Sequence, residues 1–153
     1  MVNILVITLL LNIPTSILNL YAALSMQGLF VPLRTLAKFG AICGILLTIY
    51  RNVSIPFPTH IILYGITLVL LLKYLSKASW GMAVLCGLAA HLINAVGEGL
   101  ITAPVFMAMG ISLQNAVSNQ WLVILGGWLG NLLLIMIVTI IKCQRQAKTT
   151  VQE

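Results

Sequence analysis

Five stretches of nearly unbroken apolar residues divide this chain, and short polar or proline- and glycine-bearing segments separate them. The stretches run over about 2–24, 33–50, 58–75, 80–101 and 121–141. A membrane-crossing helix needs roughly 20 predominantly apolar residues, so each stretch is of spanning length or close to it. The pattern predicts an all-α fold: one integral membrane domain, a polytopic bundle of about five transmembrane helices. The second stretch is the weakest, since it opens with Arg34 and Lys38. Leaving it out would strand a long apolar segment outside the bilayer, so five spans are preferred to four. The segment 102–120, TAPVFMAMGISLQNAVSNQ, mixes polar and apolar residues and contains Pro104 and Gly110. It reads as an interfacial loop with a short helix along the membrane surface. The first residues, MVNILVITLLLNIP, lack the positively charged start of a secretory signal and read as a retained first span.

Composition supports the same class. Only 7% of the 153 residues are charged, against 61% hydrophobic. Soluble domains carry about a quarter charged residues, and a soluble fold of this composition would expose large apolar patches. The net charge of +6 does not point to nucleic acid, because the basic residues are scattered. Their placement instead orients the chain. Arg34, Lys38, Lys73, Lys77, Lys142, Arg145 and Lys148 fall on one side of a five-span bundle, and only Arg51 falls on the other. Cytoplasmic loops carry the excess of Lys and Arg. The expectation is an N-terminus outside, a cytoplasmic C-terminus with a short basic tail over 142–153, and residence in the plasma membrane. Trp80 and Trp121 stand at span starts, and Tyr50 and Tyr74 near span ends, depths that aromatic residues favour.

Several polar residues interrupt the apolar runs. Thr8, Asn12, Ser16 and Asn19 are spaced by four, four and three residues, which draws one stripe down a helix. Such a stripe either bonds to neighbouring helices or lines a path for a ligand or ion. In the fourth run, His91, Asn94 and Glu98 share a helix face. Apart from the C-terminal Glu153, Glu98 is the only acid in the chain. An ionised group at mid-membrane costs about 2.5–3.5 kcal/mol, and less near the boundary. Topology places Glu98 near the outer boundary together with Arg51 and His60, so a pair tying the 51–60 loop to the fourth span is expected. That group either pins the loop or reads a ligand or proton. His91 and Asn94 lie deeper and are expected to bond to neighbouring helices. Gly40 with Gly44, and Gly126 with Gly130, form GxxxG spacings that let helix backbones approach, within the bundle or across a homodimer.

The remaining chemistry is sparse. Cys43, Cys86 and Cys143 are isolated and read as structural thiols, with no spacing that points to a disulfide or a metal. Asn52-Val53-Ser54 matches a glycosylation sequon, a pattern frequent by chance. The chain has no aspartate, no phosphate-binding glycine loop and no nucleophile–base spacing, so neither an enzyme, a cofactor nor a metal is expected.

The run YRNVSIPFPTHIILYGITLVLLLKYLSKASW, followed by a fourth span ending in GEGLITAP, resembles the multi-span N-terminal sensor region of bacterial GHKL-type histidine kinases, including quorum-sensing and sporulation-related ones. The shared features are a basic residue after the second span, a proline-bearing turn leading to His60, and an acid near the end of the fourth span. Those kinases continue into a dimerising helix with a phospho-accepting histidine and an ATP-binding domain, which this sequence lacks. The resemblance therefore implies a stand-alone or truncated sensor-like module acting through a partner such as a kinase, and no kinase activity. Two other readings compete with this: a small transporter or transporter subunit, with the Thr8–Asn19 stripe and His91 lining the path, and a structural or assembly protein without a ligand.

Overall fold

The computed structural model describes residues 3–53 and 59–150, apart from the side chains of 113 and 145–150. The described residues form six helices: α1 Ile4–Met26, α2 Leu33–Asn52, α3 Thr59–Ser76, α4 Trp80–Ala108, α5 Leu113–Ser118 and α6 Gln120–Thr150. All but the short α5 are long and apolar enough to cross a membrane. The expected first span from residue 2 and third span from residue 58 start outside the described residues, as does most of the 51–60 loop.

Local sequence signals set the helix ends. Asn3 caps α1 by accepting from the backbone N–H of Leu5 and Val6, and Ser79 and Ser112 cap α4 and α5 in the same way. Past α1, Gly28 takes φ +81° and Leu29 N–H returns to Leu24 O at 3.0 Å. Past α4, Gly110 takes φ +69° and Ile111 N–H returns to Phe106 O at 2.9 Å. Both close a helix through a left-handed residue that glycine adopts without strain.

α1 is the hub of the bundle and touches α2, α3, α4 and α6. Its central place explains its composition. Asn12, Ser16 and Asn19 are buried in the protein, while Leu33, Leu85 and Leu100 on other helices are more than 60% exposed. Polar inside and apolar outside inverts the soluble pattern and suits a hydrocarbon surround, where polar side chains need partners within the bundle.

Helix contacts are close where glycine permits. A Cβ on Gly44 would stand 2.6 Å from the Ile13 Cα, so α1 and α2 meet backbone to backbone. The same holds between α4 and α6: a Cβ on Gly97 would collide with the Gly130 carbonyl, and one on Gly130 would reach Glu98 Cγ at 2.6 Å. Gly40 lies against Ile17, and Gly126 against Thr102 and Phe106. The two GxxxG pairs thus face neighbours of the same chain.

Two helices run past the expected span ends: α4 continues beyond residue 101 to Ala108, and the C-terminal segment is helical from Gln120 to Thr150, through much of the expected basic tail. Pro104 signals a break by propensity, since proline removes an N–H and crowds the carbonyl four residues back. The helix absorbs it through a π-helical turn over Glu98–Thr102, in which Ala103 N–H reaches back five residues to Glu98 O. α1 uses the same device. A π turn over Thr8–Asn12 joins Ile13 N–H to Thr8 O, with Pro14 next in the chain. Proline at position 14 deprives Leu10 O of its helical donor, and Trp128 Nε1 of α6 donates to that carbonyl at 3.0 Å.

Below the level of Tyr64 the bundle is solid. Leu20, Leu24, Leu36, Leu68, Leu72, Ala83 and Leu134 come from all five long helices and are almost completely buried against one another. The antiparallel order puts Arg34, Lys38, Lys73, Lys77 and Lys142 at this packed end and Arg51 at the other. Lys73 there donates to Ala78 O at 2.6 Å and lies over the Trp80 ring, and Lys142 lies over Tyr21.

Candidate functional site

The end of the bundle that carries Arg51 encloses a cavity of about 460 Å³. It lies among the first half of α1, the last turn of α2, the first turns of α3 and α6, the second half of α4, and α5. Both π turns border it, which fits the tendency of such turns to occur at functional sites.

Its polar wall starts on α1. Asn12 Nδ2 donates to Thr48 Oγ1 at 2.8 Å, and Thr8 and Thr48 hydroxyls are 3.0 Å apart. Arg51 Nη1 donates to Asn12 Oδ1 at 3.2 Å. Deeper, Tyr64 OH accepts from Asn19 Nδ2 and donates to Ser16 Oγ, both at 3.2 Å. Asn131 of α6 donates to Thr15 Oγ1 at 2.8 Å. Thr102, in the second π turn, donates to Gly126 O at 2.6 Å.

The polar stripe of the first span therefore divides its roles. Ser16 is spent on Tyr64, whereas Asn12 and Asn19 also line the cavity. Arg51, His60, His91, Asn94 and Glu98 line it too. The sequence separated a deep pair, His91 and Asn94, from an outer trio, and the structure gathers all five around one space. Among the described residues Arg51 and Glu98 close no ion pair; Arg51 is bonded to Asn12 instead, and its charge is near enough to act on both His91 and Glu98.

Among the described residues His91 does not make the hydrogen bonds expected of it to neighbouring helices, and Asn94 leaves its Oδ1 without one. Neither His91 ring nitrogen has a hydrogen-bond partner, and the ring packs against Tyr64 with centroids 5.2 Å apart. Asn94 Oδ1 and Asn19 Oδ1 are buried without partners. Each unmet buried polar atom costs about 1–3 kcal/mol. Leu11, Leu47, Ile61, Phe106 and Val117 complete the lining with apolar surface.

Cys43 and Cys86 are buried thiols and Cys143 is exposed. Among the described residues no three His, Cys, Asp or Glu side chains converge as metal ligands would. Ser54 of the sequon lies outside the described residues. Sequence reading did not single out Tyr64, Thr15, Asn131 or Trp128. Their only signal is a polar group inside an apolar run, and the partners that give each its meaning are 45 to 118 residues away. Comparison with protein-family models, curated proteins and solved structures finds no match for this chain.

Proposed function

We propose that this protein is a non-enzymatic membrane module that receives a small ligand in the cavity and passes its state to a partner, as a sensor-like part of a bacterial signalling system. The observation that carries the reading is a cavity at one end of the bundle lined by Arg51, His60, His91, Asn94 and Glu98, while the other end holds the buried apolar cluster. A cup over a plug receives a molecule without offering it a way through. The bias of basic residues to the packed end turns the cup outward from the cytoplasm, in the plasma membrane. The GHKL-like pattern of the sequence fits a kinase as the partner, reached through the basic packed end.

Labelling with a membrane-impermeant maleimide tests this. In a Cys143→Ser background, Asn94→Cys is expected to react from one face of the membrane only, and native Cys86, deep in the packed half, from neither. Absence of labelling at Asn94→Cys from both faces contradicts a ligand-receiving cup.

A second reading is transport, and one observation favours it. α1 and α4 are interrupted beside the cavity by the same arrangement, a π turn followed two residues later by proline. Paired helix interruptions border substrate sites in transporters. Labelling of Asn94→Cys from both faces would select this reading.

A further inference from the structure

We propose that the cavity takes a small zwitterion, a molecule of up to dipeptide size with a free ammonium, a free carboxylate and an apolar side chain. This rests on reading the cavity as a ligand site and specifies what that site selects.

The charges on the wall carry the inference. Arg51 stands in the last turn of α2 and Glu98 opens the π turn of α4, so two different helices present opposite charges to one space. The two are not spent on each other. A guanidinium has five N–H donors in a planar fork, and Arg51 commits Nη1 to Asn12, an acceptor bond that also orients the fork. A ligand carboxylate matches the remaining donors. Glu98 lines the cavity, while its Cγ is seated against Gly130, where any larger residue would displace it. A positioned carboxylate that closes no ion pair with Arg51 is matched by a ligand ammonium.

Other ligand charges fit less well. An anion would leave Glu98 repelled, and a cation would leave Arg51 repelled. A neutral molecule would strip water from both charges and replace it with nothing, which is costly. Only a ligand with both signs compensates both walls. Between them Asn19, His91 and Asn94 also line the cavity, polar side chains of the kind that meet the amide of a dipeptide. Phe106 and Leu47 supply an apolar wall for a side chain. A cavity of about 460 Å³ lies within the 300–1,000 Å³ typical of small-molecule sites.

Calorimetry on the chain in lipid nanodiscs tests the inference with three probes: leucyl-leucine, its N-acetyl form without the ammonium, and its C-terminal amide without the carboxylate. Leucyl-leucine is expected to bind, and each cap to weaken binding at least tenfold. Glu98→Gln is expected to erase the penalty of the acetyl cap while keeping that of the amide. Arg51→Gln is expected to do the reverse. Thermal melting of each variant checks folding, and the wild-type cap series stands even if a variant does not fold. Equal binding of capped and uncapped probes overturns the zwitterion and leaves the cavity a site for a neutral ligand. No binding by any probe also overturns it. Asn94→Cys labelling then separates two cases: a labelled cysteine leaves the ligand site standing, and an unlabelled one removes that reading as well.

Discussion

The two ends of this bundle are made from the same five long helices and obey different rules. At the packed end, Leu20, Leu24, Leu68, Leu72 and Leu134 are within 1% of complete burial and touch one another. At the cavity end the same helices turn Asn12, Asn19, His91, Asn94 and Glu98 toward a shared space and leave several of their atoms unpartnered. Lipid is as apolar as leucine, so packing at the first end is held by dispersion and close fit rather than by exclusion of water. Such an end gains from every filled void. The other end keeps a void lined by polar side chains, at a cost in stability. The π turns of α1 and α4 both lie within the cavity end.

The largest effect is expected where both ends depend on one contact. Gly97→Leu places a side chain into the Gly130 carbonyl and pushes α4 from α6. Loss of about 3 kcal/mol or more, seen as failure to recover monodisperse protein, is expected; a normal melting curve would show that the two helices are not held this close.

Within the packed end, Leu72→Ala removes a fully buried side chain and is expected to lower stability by about 2–4 kcal/mol. Denaturation in detergent–SDS mixtures measures it, and a loss below 1 kcal/mol would mean that this end is loosely packed.

At the boundary, Tyr64→Phe deletes the hydroxyl that joins Asn19 and Ser16. Hydrogen bonds between membrane helices average about 0.6 kcal/mol, so a loss of about 1 kcal/mol is expected by the same assay. Inside the cavity, His91→Leu removes two nitrogens that have no partner. Stability is expected to rise by up to about 1 kcal/mol, and a marked fall would show that His91 holds the bundle together.

The sequence disclosed the packed end more fully than the cavity end, for physical reasons. Apolar runs of spanning length follow from the thickness of a bilayer, so five helices and their antiparallel order were readable directly. The Thr8–Asn19 stripe was readable because helical period is local, as were the two GxxxG spacings. The continuation of α4 through Pro104 was not. Proline breaks a helix by its local chemistry, and only the π turn at Glu98–Thr102 shows how it is accommodated. The meeting of Arg51, His60, His91, Asn94 and Glu98 was half readable. Topology put three of them at one end, but depth along an assumed straight span set His91 and Asn94 apart, and α4 proved seven residues longer than the run that suggested it. Asn131 and Trp128 carried no signal beyond a polar group in an apolar run, since their importance lies in Thr15 and Leu10 O at the far end of the sequence.

Hydrogen–deuterium exchange along α4 in lipid nanodiscs separates the two ends within a single helix. Amides over 83–90 lie in the packed half and those over 94–106 border the cavity and the π turn. Exchange reports local opening and access of water. The amides over 94–106 are expected to exchange about a hundredfold faster than those over 83–90. Uniform protection from Ala83 to Phe106 would contradict the division of this bundle into a solid end and an open, polar one.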